Sequence, residues 1–548
     1  MFKGHPRGLI VAFFANMGER FGFYTMMAIL VLFLQAKFGL KADQAGWIYG
    51  VFYFLIYALA LVGGFIADRT QNYKGTITAG IIVMFAGYVL LAIPGMGLPF
   101  AIFGLFIIAF GNGLFKGNLQ ALVGQMYDDP AYSKLRDSAF SLFYMGINIG
   151  AVFAPNAARG IRTWYLGSQG FGYDADLPAL CHQYLRGDMA NVGALQELAN
   201  KVTGSQVADL GAFVNSYIGA FSTGYNYAFG IAAIAMLVSL ATYVGFKRLL
   251  PDRRQQVAQG TASITMPWAE EKKRLVALGL VFLVVIFFWM SFHQNGLTLT
   301  YFARDYTAKN VAPLTYLIFD IKGLLLIAAV IIGLVFLVQK GSTSGKRALG
   351  AGMAVGGAVL AYLLHGSYAE ENLIEPEIFQ QFNPYFVVFL TPVVVAFFAW
   401  LRARNMEPST PRKIGIGMVL AAVAFLLMVA SSISLLSPAD LGGAVSPDRV
   451  SPYWLITTYL ILTIAELFLS PMGISFVSKV APPRFQGLMQ GGWLGATALG
   501  NQLLVVGSLM WVRFEVWQVW ATFVVCCLIS AAFIFSILKR LESATSNS

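Results

Sequence analysis

Five ionisable residues stand inside stretches that are otherwise apolar: Glu19, Arg20, Lys116, His293 and Glu466. At the centre of a bilayer a charged side chain costs about 2.5–3.5 kcal/mol on insertion scales, so this set would cost on the order of 10 kcal/mol if it faced lipid. The residues are therefore expected to line an interior path and to pair at least in part, as the walls of a polar translocation route do. Glu19 and Arg20 are adjacent, point about 100° apart on a helix, and are not expected to neutralise one another on one face. Lys116 lies among Gly111, Gly113 and Gly117, which let a neighbouring helix or a ligand approach closely. His293 has polar neighbours in Gln294 and Asn295, and Glu466 precedes Ser470-Pro471, where a helix break is expected. Asp320 and Lys322 read as groups at a membrane boundary.

The elements that must hold these groups follow from composition. Apolar residues make up 58% and charged residues 11%, against about 45–50% and 25% in soluble domains. One water-soluble core stops growing beyond about 250–300 residues, so the excess points to a lipid bilayer as solvent. A spanning helix needs about 20 apolar residues. About fourteen such segments occur, centred near residues 22, 55, 85, 110, 145, 237, 285, 325, 357, 392, 424, 464, 498 and 527.

The net charge of +11 falls in short runs between these segments, as topology determinants do, so no nucleic-acid partner is expected. Lys3 and Arg7, Arg69 and Lys74, Lys134 and Arg136, Lys340, Lys346 and Arg347, Arg402 to Lys413, Lys479 and Arg484, and Lys539 and Arg540 all fall on one side. That side is expected to be cytoplasmic, with both termini there and the chain in the inner (cytoplasmic) membrane. The start lacks the pattern of a cleavable signal. Three cysteines and four histidines show no metal-ligand spacing, so neither metal nor cofactor is expected.

The expected organisation is a first six-helix bundle over 1–250, a basic linker over 251–274, and a second bundle over 275–548 with an inserted helix pair near 312–366. Residues 159–223 read as a long polar outer loop holding Arg159, Arg162 and Arg186, either a small folded cap or a flap. The acidic run Glu370, Glu371, Glu375 and Glu377 reads as a solvated loop.

Several motifs carry a family resemblance. Asn16 to Tyr24 (NMGERFGFY) resembles the ExxERFxYY motif of the proton-dependent oligopeptide transporters, a family of the major facilitator superfamily. Gly63 to Arg69 is similar to that superfamily's loop between its second and third helices. Gly111 to Asn118 resembles the fourth-helix segment bearing the family's lysine, and Ser138 to Pro155 its fifth-helix signature. Phe382-Asn383-Pro384, Ala465 to Gly473 and Gly491-Gly-Trp493 follow in the family's order.

The resemblance implies an all-α polytopic membrane protein of the major facilitator fold, two six-helix bundles plus an extra helix pair. It implies a secondary active transporter that imports di- and tripeptides with protons by alternating access, as a monomer and not as an enzyme. Lys116 and Arg20 would hold the peptide carboxylate, and Glu466 its amino terminus, helped by Asn148, Asn383 and Ser470. Tyr24, Tyr57 and Trp493 would shape side-chain pockets, and Asp68 with Arg69 would latch the inner gate. Asn16 replaces the first motif glutamate, Gly117 a proline, and His293 the seventh-helix glutamate. With an unperturbed pKa of about 6.5, His293 is expected to share the proton traffic with Glu19, while Arg20 and Lys116 compete for Glu19. The same fold carrying another small solute, or with proton coupling lost or rerouted, is the alternative reading; an integral-membrane enzyme ranks below it, since the four histidines and three cysteines have no metal-binding spacing.

Overall fold

The computed structural model describes residues 2, 4–127, 131–132, 135–189, 192–251, 267–339, 341–482 and 485–545. Most of linker 251–274 lies outside them, as do Lys3, Lys134, Lys340 and Arg484. Among the described residues, twelve helical segments are long and apolar enough to cross a membrane. Helices Arg136–Ser168 and Tyr453–Val480, of spanning length, bring the number to fourteen, as counted from the sequence. The chain is a multi-pass membrane protein.

The first group comprises α1 (Arg7–Phe38), α2 (Ala42–Thr70), α3 (Tyr73–Ala92), α4 (Leu98–Gln125) and α5 (Arg136–Ser168). Two short helices follow, α6 (Leu177–Arg186) and α7 (Gly193–Thr203), and then α8 (Leu210–Phe246). Helix α1 is largely enclosed and packs on α5 and α8, while α4 packs on α2 and α3. Glycines set the α4 contacts. A Cβ at Gly63 would overlap the carbonyl of Gly113, and one at Gly80 would stand 2.7 Å from that of Gly111. Small residues of this kind let backbones meet where no hydrophobic effect drives helices together.

The seventh span is broken. Helix α9 (Trp268–Phe292) passes through a turn of 3₁₀ helix at His293–Gly296 into α10 (Thr298–Asp305). Helix α11 (Pro313–Tyr316) leads to an antiparallel hairpin of α12 (Ile321–Val338) and α13 (Ser344–Gly366), which pack mainly on each other. Val338, 81% exposed, and Tyr362, 77% exposed, belong to the hairpin's bare apolar faces, which suit lipid. Strand β1 (Asn310–Val311) pairs with β2 (Asn372–Leu373) and closes the base of the hairpin. Asp320 caps α12 and accepts a hydrogen bond from Tyr368 at 2.8 Å, consistent with a boundary group.

The remaining helices are α14 (Phe382–Arg402), α15 (Thr410–Ser432), α16 (Tyr453–Val480), α17 (Gln486–Gln502), α18 (Val505–Trp511), α19 (Val516–Ser536) and α20 (Leu538–Thr545). Helix α15 packs on α16 and α19, and α17 on α9. The two groups meet where α17 and α18 lie on α2 and where α14 lies on α5.

Four expectations need correction. The break expected at Ser470-Pro471 is absent, because α16 runs as one helix from Tyr453 to Val480. The long outer loop is shorter than 159–223, because α5 runs to Ser168 and α8 starts at Leu210. Arg159 and Arg162 therefore belong to a helix, and α6 and α7 make the remaining loop a small folded cap. Glu375 and Glu377 are not solvated, since their side chains are 1% and 0% exposed and pair with those arginines. Helix α9 begins at Trp268, so Lys272, Lys273 and Arg274 are helical rather than linker residues.

Candidate functional site

The ionisable groups within the spanning helices divide between the two helix groups. On α1, Arg20 donates to both carboxylate oxygens of Glu19, Nε–H to Oε2 at 2.5 Å and Nη2 to Oε1 at 2.7 Å. Asn112 of α4 donates to the same carboxylate at 2.8 Å, and the Arg20 guanidinium lies 4.5 Å from the Phe23 ring centroid. Adjacent residues therefore do neutralise one another here. The Cα–Cβ directions diverge, but two long side chains fold back to a shared point, and burial rewards that closure. Much of Arg20's donor capacity is thus committed to Glu19.

Lys116 differs. Its ammonium sits 4.1 Å from the centroid of the Tyr57 ring, and no carboxylate among the described residues lies within ion-pair distance. The ring face holds the cation without neutralising it. Tyr53 lies between Tyr57 and Tyr49 on successive turns of α2, and Tyr24 packs edge-on against Phe23. Three tyrosines at i, i+4 and i+8 give that face of α2 an aromatic lining that ends at the lysine.

Glu466 of α16 also lacks a cationic partner among the described residues. Its Oε2 accepts from Asn383 Nδ2 at 3.0 Å and its Oε1 from Tyr144 at 3.3 Å. Asn383 also donates to Thr463 at 3.0 Å, which orients the amide toward α16. Tyr144 belongs to α5, so its hydrogen bond crosses between the helix groups. Asn148, one turn further, donates to the Tyr144 carbonyl at 3.0 Å and supports that turn rather than Glu466 itself.

His293 lies at the break between α9 and α10. Its ring is stacked on Trp289 at 4.7 Å and tilted against Tyr53 at 4.5 Å. Nδ1 bonds Asn501 Oδ1 at 2.5 Å, and since an amide oxygen only accepts, the proton is assigned to Nδ1 and Nε2 is the basic nitrogen. A second break, between α17 and α18, faces the first. Gln294 donates to the carbonyl of Leu504, which also accepts from Gly507 N–H, and accepts from Thr298. The opened carbonyl of Asn295 takes Tyr459 at 2.8 Å. Broken helices facing each other within the membrane are where transporters build solute and ion sites.

The structure brings Asn383 to Glu466, Tyr57 to Lys116 and Arg20 to Glu19. It gives His293 and Glu19 separate hydrogen-bond partners. Trp493 is buried against Phe282 at 6.4 Å, and the Ser470 side chain lies outside the described residues. Asp68 stands near the C-terminal end of α2 and accepts a hydrogen bond from Tyr73, while Arg69 is exposed beside it. Asn112, Tyr144, Thr463 and Asn501 were not singled out from the sequence. Asn112 lies between two glycines beside Lys116, and Asn501 follows Gly500 within an apolar segment; polar residues in such places were the available signal.

Comparison with known proteins places this arrangement. A sequence model described as the POT family matches residues 74–268 and 363–517, more than half of the chain. An uncharacterized transporter, YclF of Bacillus subtilis (strain 168), is 28% identical over 527 residues, covering 92% of this chain and 87% of that protein. The peptide transporter YePEPT of Yersinia enterocolitica subsp. palearctica is 28% identical over 533 residues, covering 91% and 87%. Among solved structures, a mutant of a peptide transporter POT in complex with alafosfalin aligns over 100% of this chain and 97% of its own, with a TM-score of 0.66 and 21% identity. A POT family transporter in complex with 5-aminolevulinic acid aligns over 99% and 98%, with a TM-score of 0.67 and 20% identity. At these identities the structures speak for the fold alone, which is the major facilitator type.

Proposed function

The chain belongs to the POT family, and from that premise we propose that it imports di- and tripeptides, or small peptide-like zwitterions, together with protons. The observation that carries this reading is a pair of oppositely charged groups, the half-buried Lys116 on α4 and the buried Glu466 on α16, neither neutralised by an ion pair among the described residues. A zwitterion needs a cation at one end and an anion at the other, and it offers each the partner it lacks. YePEPT, a relative by sequence, is named as a peptide transporter, which supports the substrate class.

Lys116 takes the substrate carboxylate in this account. Arg20, committed to Glu19, joins only if Glu19 is protonated or turned away. Glu466 takes the ammonium, oriented by Asn383, with Asn148 bracing the helix turn that carries Tyr144. Tyr24, Tyr57 and Trp493 bound the pockets for side chains, and Ser470 stays a candidate on the motif.

Proton coupling is assigned to His293 and Glu19. Asn501 fixes Nδ1–H, leaving Nε2 to take the proton, and protonation of Glu19 frees Arg20. The halves 1–250 and 275–548 rock about the midplane site in alternating access. Asp68 and Arg69 latch the inner gate. The protein works in the inner membrane as a monomer, with both termini cytoplasmic and no cofactor, and as a carrier rather than an enzyme.

A second reading has a specific support. A family structure holds 5-aminolevulinic acid, so a non-peptide zwitterion on the same two clamps is the competing cargo. Counterflow in proteoliposomes separates them. Labelled di-alanine exchanged against internal di-alanine, and not displaced by excess 5-aminolevulinic acid, supports the peptide. Exchange of 5-aminolevulinic acid alone refutes it.

A further inference from the structure

On the outer face, two clusters of buried or half-buried charge join the helix groups, and they have opposite polarity. In the first, α5 supplies the cations and the segment before α14 supplies the anions. Arg162 pairs with Glu375 at 2.7 Å and with Glu377, and Arg159 pairs with Glu375 at 2.9 Å. In the second, the turn after α5 supplies the anions and the C-terminal half the cations. Lys309 pairs with Asp176 at 2.5 Å and Asp174 at 3.1 Å, and Arg449 with Asp176 at 3.1 Å.

Two features distinguish these clusters from incidental surface pairs. Arg162 is held on its own half by aromatic faces, its guanidinium 3.9 Å from the Tyr173 centroid and 5.5 Å from that of Tyr225. The C-terminal partners share one rigid support. The β1–β2 ribbon continues in a hydrogen bond from Ile374 N–H to the Lys309 carbonyl at 2.7 Å, so Lys309 and Glu375 emerge side by side from its end. The same ribbon closes the base of the α12–α13 hairpin. Two further bonds run beside these pairs, a neutral one from Asn156 to Gln381 at 2.6 Å and one from the Arg159 guanidinium to Tyr316 at 3.1 Å.

We propose that these two charge-reversed clusters are the outer lock of the transport cycle, closed in this structure, with the ribbon at the foot of the α12–α13 hairpin as the part that engages and releases. The proposal rests on the alternating-access reading above. Its physical logic is that buried ion pairs gain in attraction about what they lose in hydration. A seal of that kind keeps only a modest net preference for the closed state, about that of a charge-assisted contact, because outer water rehydrates the charges when it parts. Opposite polarity in the two clusters fixes register, since a shift that satisfied one would bring like charges together in the other.

The test uses the full chain in nanodiscs, spin-labelled at Glu197 and Ser434. These exposed residues stand on opposite halves of the outer face; the three cysteines are replaced by alanine. Distances are measured by electron double resonance without substrate. Arg162→Gln with Glu377→Gln removes one pair together and leaves Arg159 with Glu375, so no charge is stranded. The expected result is a rise of about tenfold in the ratio of long to short distances, the effect of losing one charge-assisted contact, with an unchanged melting temperature. If that variant does not fold, Lys309→Gln with Asp174→Asn in the more exposed cluster, which leaves Arg449 with Asp176, must give the same shift. A folded variant with the wild-type distance distribution overturns the lock. Absence of peptide uptake by the wild-type chain would instead overturn the transport reading, whatever the distances.

Discussion

Replacing Lys116 by methionine keeps the apolar stem on Tyr57 and removes only the charge. Among the described residues the ammonium has no carboxylate partner to strand, so the fold should tolerate the change. What is lost is one charge-assisted bond to the substrate carboxylate, worth about 1.5–3 kcal/mol, or roughly 10- to 150-fold in Kd. Arg20→Met should behave differently. It leaves the Glu19 carboxylate buried with Asn112 as its remaining donor, and breaking a buried pair on one side costs about 3–5 kcal/mol of stability. The assay is calorimetric titration of di-alanine beside thermal unfolding in the same detergent. Weakened binding at constant melting temperature for Lys116→Met, with a clear loss of melting temperature for Arg20→Met, is the expected pair of results. Unchanged affinity in Lys116→Met would refute the assignment of the free cation. A stable Arg20→Met with lost affinity would hand the carboxylate to Arg20.

Other outcomes follow from the same geometry. His293→Gln should keep di-alanine counterflow and lose uptake driven by a pH gradient; gradient-driven uptake at the wild-type rate would remove His293 as the carrier. Gly63→Ala forces α2 and α4 apart at the Gly113 carbonyl, and overpacking of about 1–3 kcal/mol should appear as a lower melting temperature, absent if the helices slide freely. At the C-terminal end of α14, the hydrogen bond from Arg402, with Lys413 beside it, holds the Glu407 carboxyl down to about 2 from an ordinary 4.5. A lowered folded-state pKa gives stability that is full above about 4.5 and vanishes as pH falls toward 2. Glu407→Gln should therefore melt below wild type at pH 7, with the gap shrinking near pH 3; a gap independent of pH would contradict the pairing.

The fold was largely legible because a bilayer leaves few choices. Runs of about 20 apolar residues can only be helices there, so all fourteen segments were found, and their centres fall inside the helices observed. The sequence misled where long-range pairing changes what a charge means. Arg159 and Arg162 read as loop residues because cations at the end of an apolar run imply its boundary, yet α5 continues past them under cover of Glu375 and Glu377, more than 200 residues later. Those glutamates read as solvated for the same reason.

At the site, residue types and motif order picked out Lys116, His293 and Glu466, since each is costly in an apolar helix. Their neighbours were less visible. Asn501 and Tyr144 are ordinary polar residues whose importance comes from the partner they meet across the structure, His293 and Glu466. The Glu19–Arg20 closure was missed because helix geometry fixes the Cα–Cβ directions, not where flexible side chains end.

The central claim is coupled import of a zwitterionic peptide on Lys116 and Glu466. It is tested most directly by uptake of labelled di-alanine into proteoliposomes of the purified chain under an inward proton gradient. The account predicts accumulation above the external concentration, abolished by a protonophore and by Lys116→Met or Glu466→Gln. Accumulation that survives either substitution, or uptake that only equilibrates whatever the gradient, would contradict it.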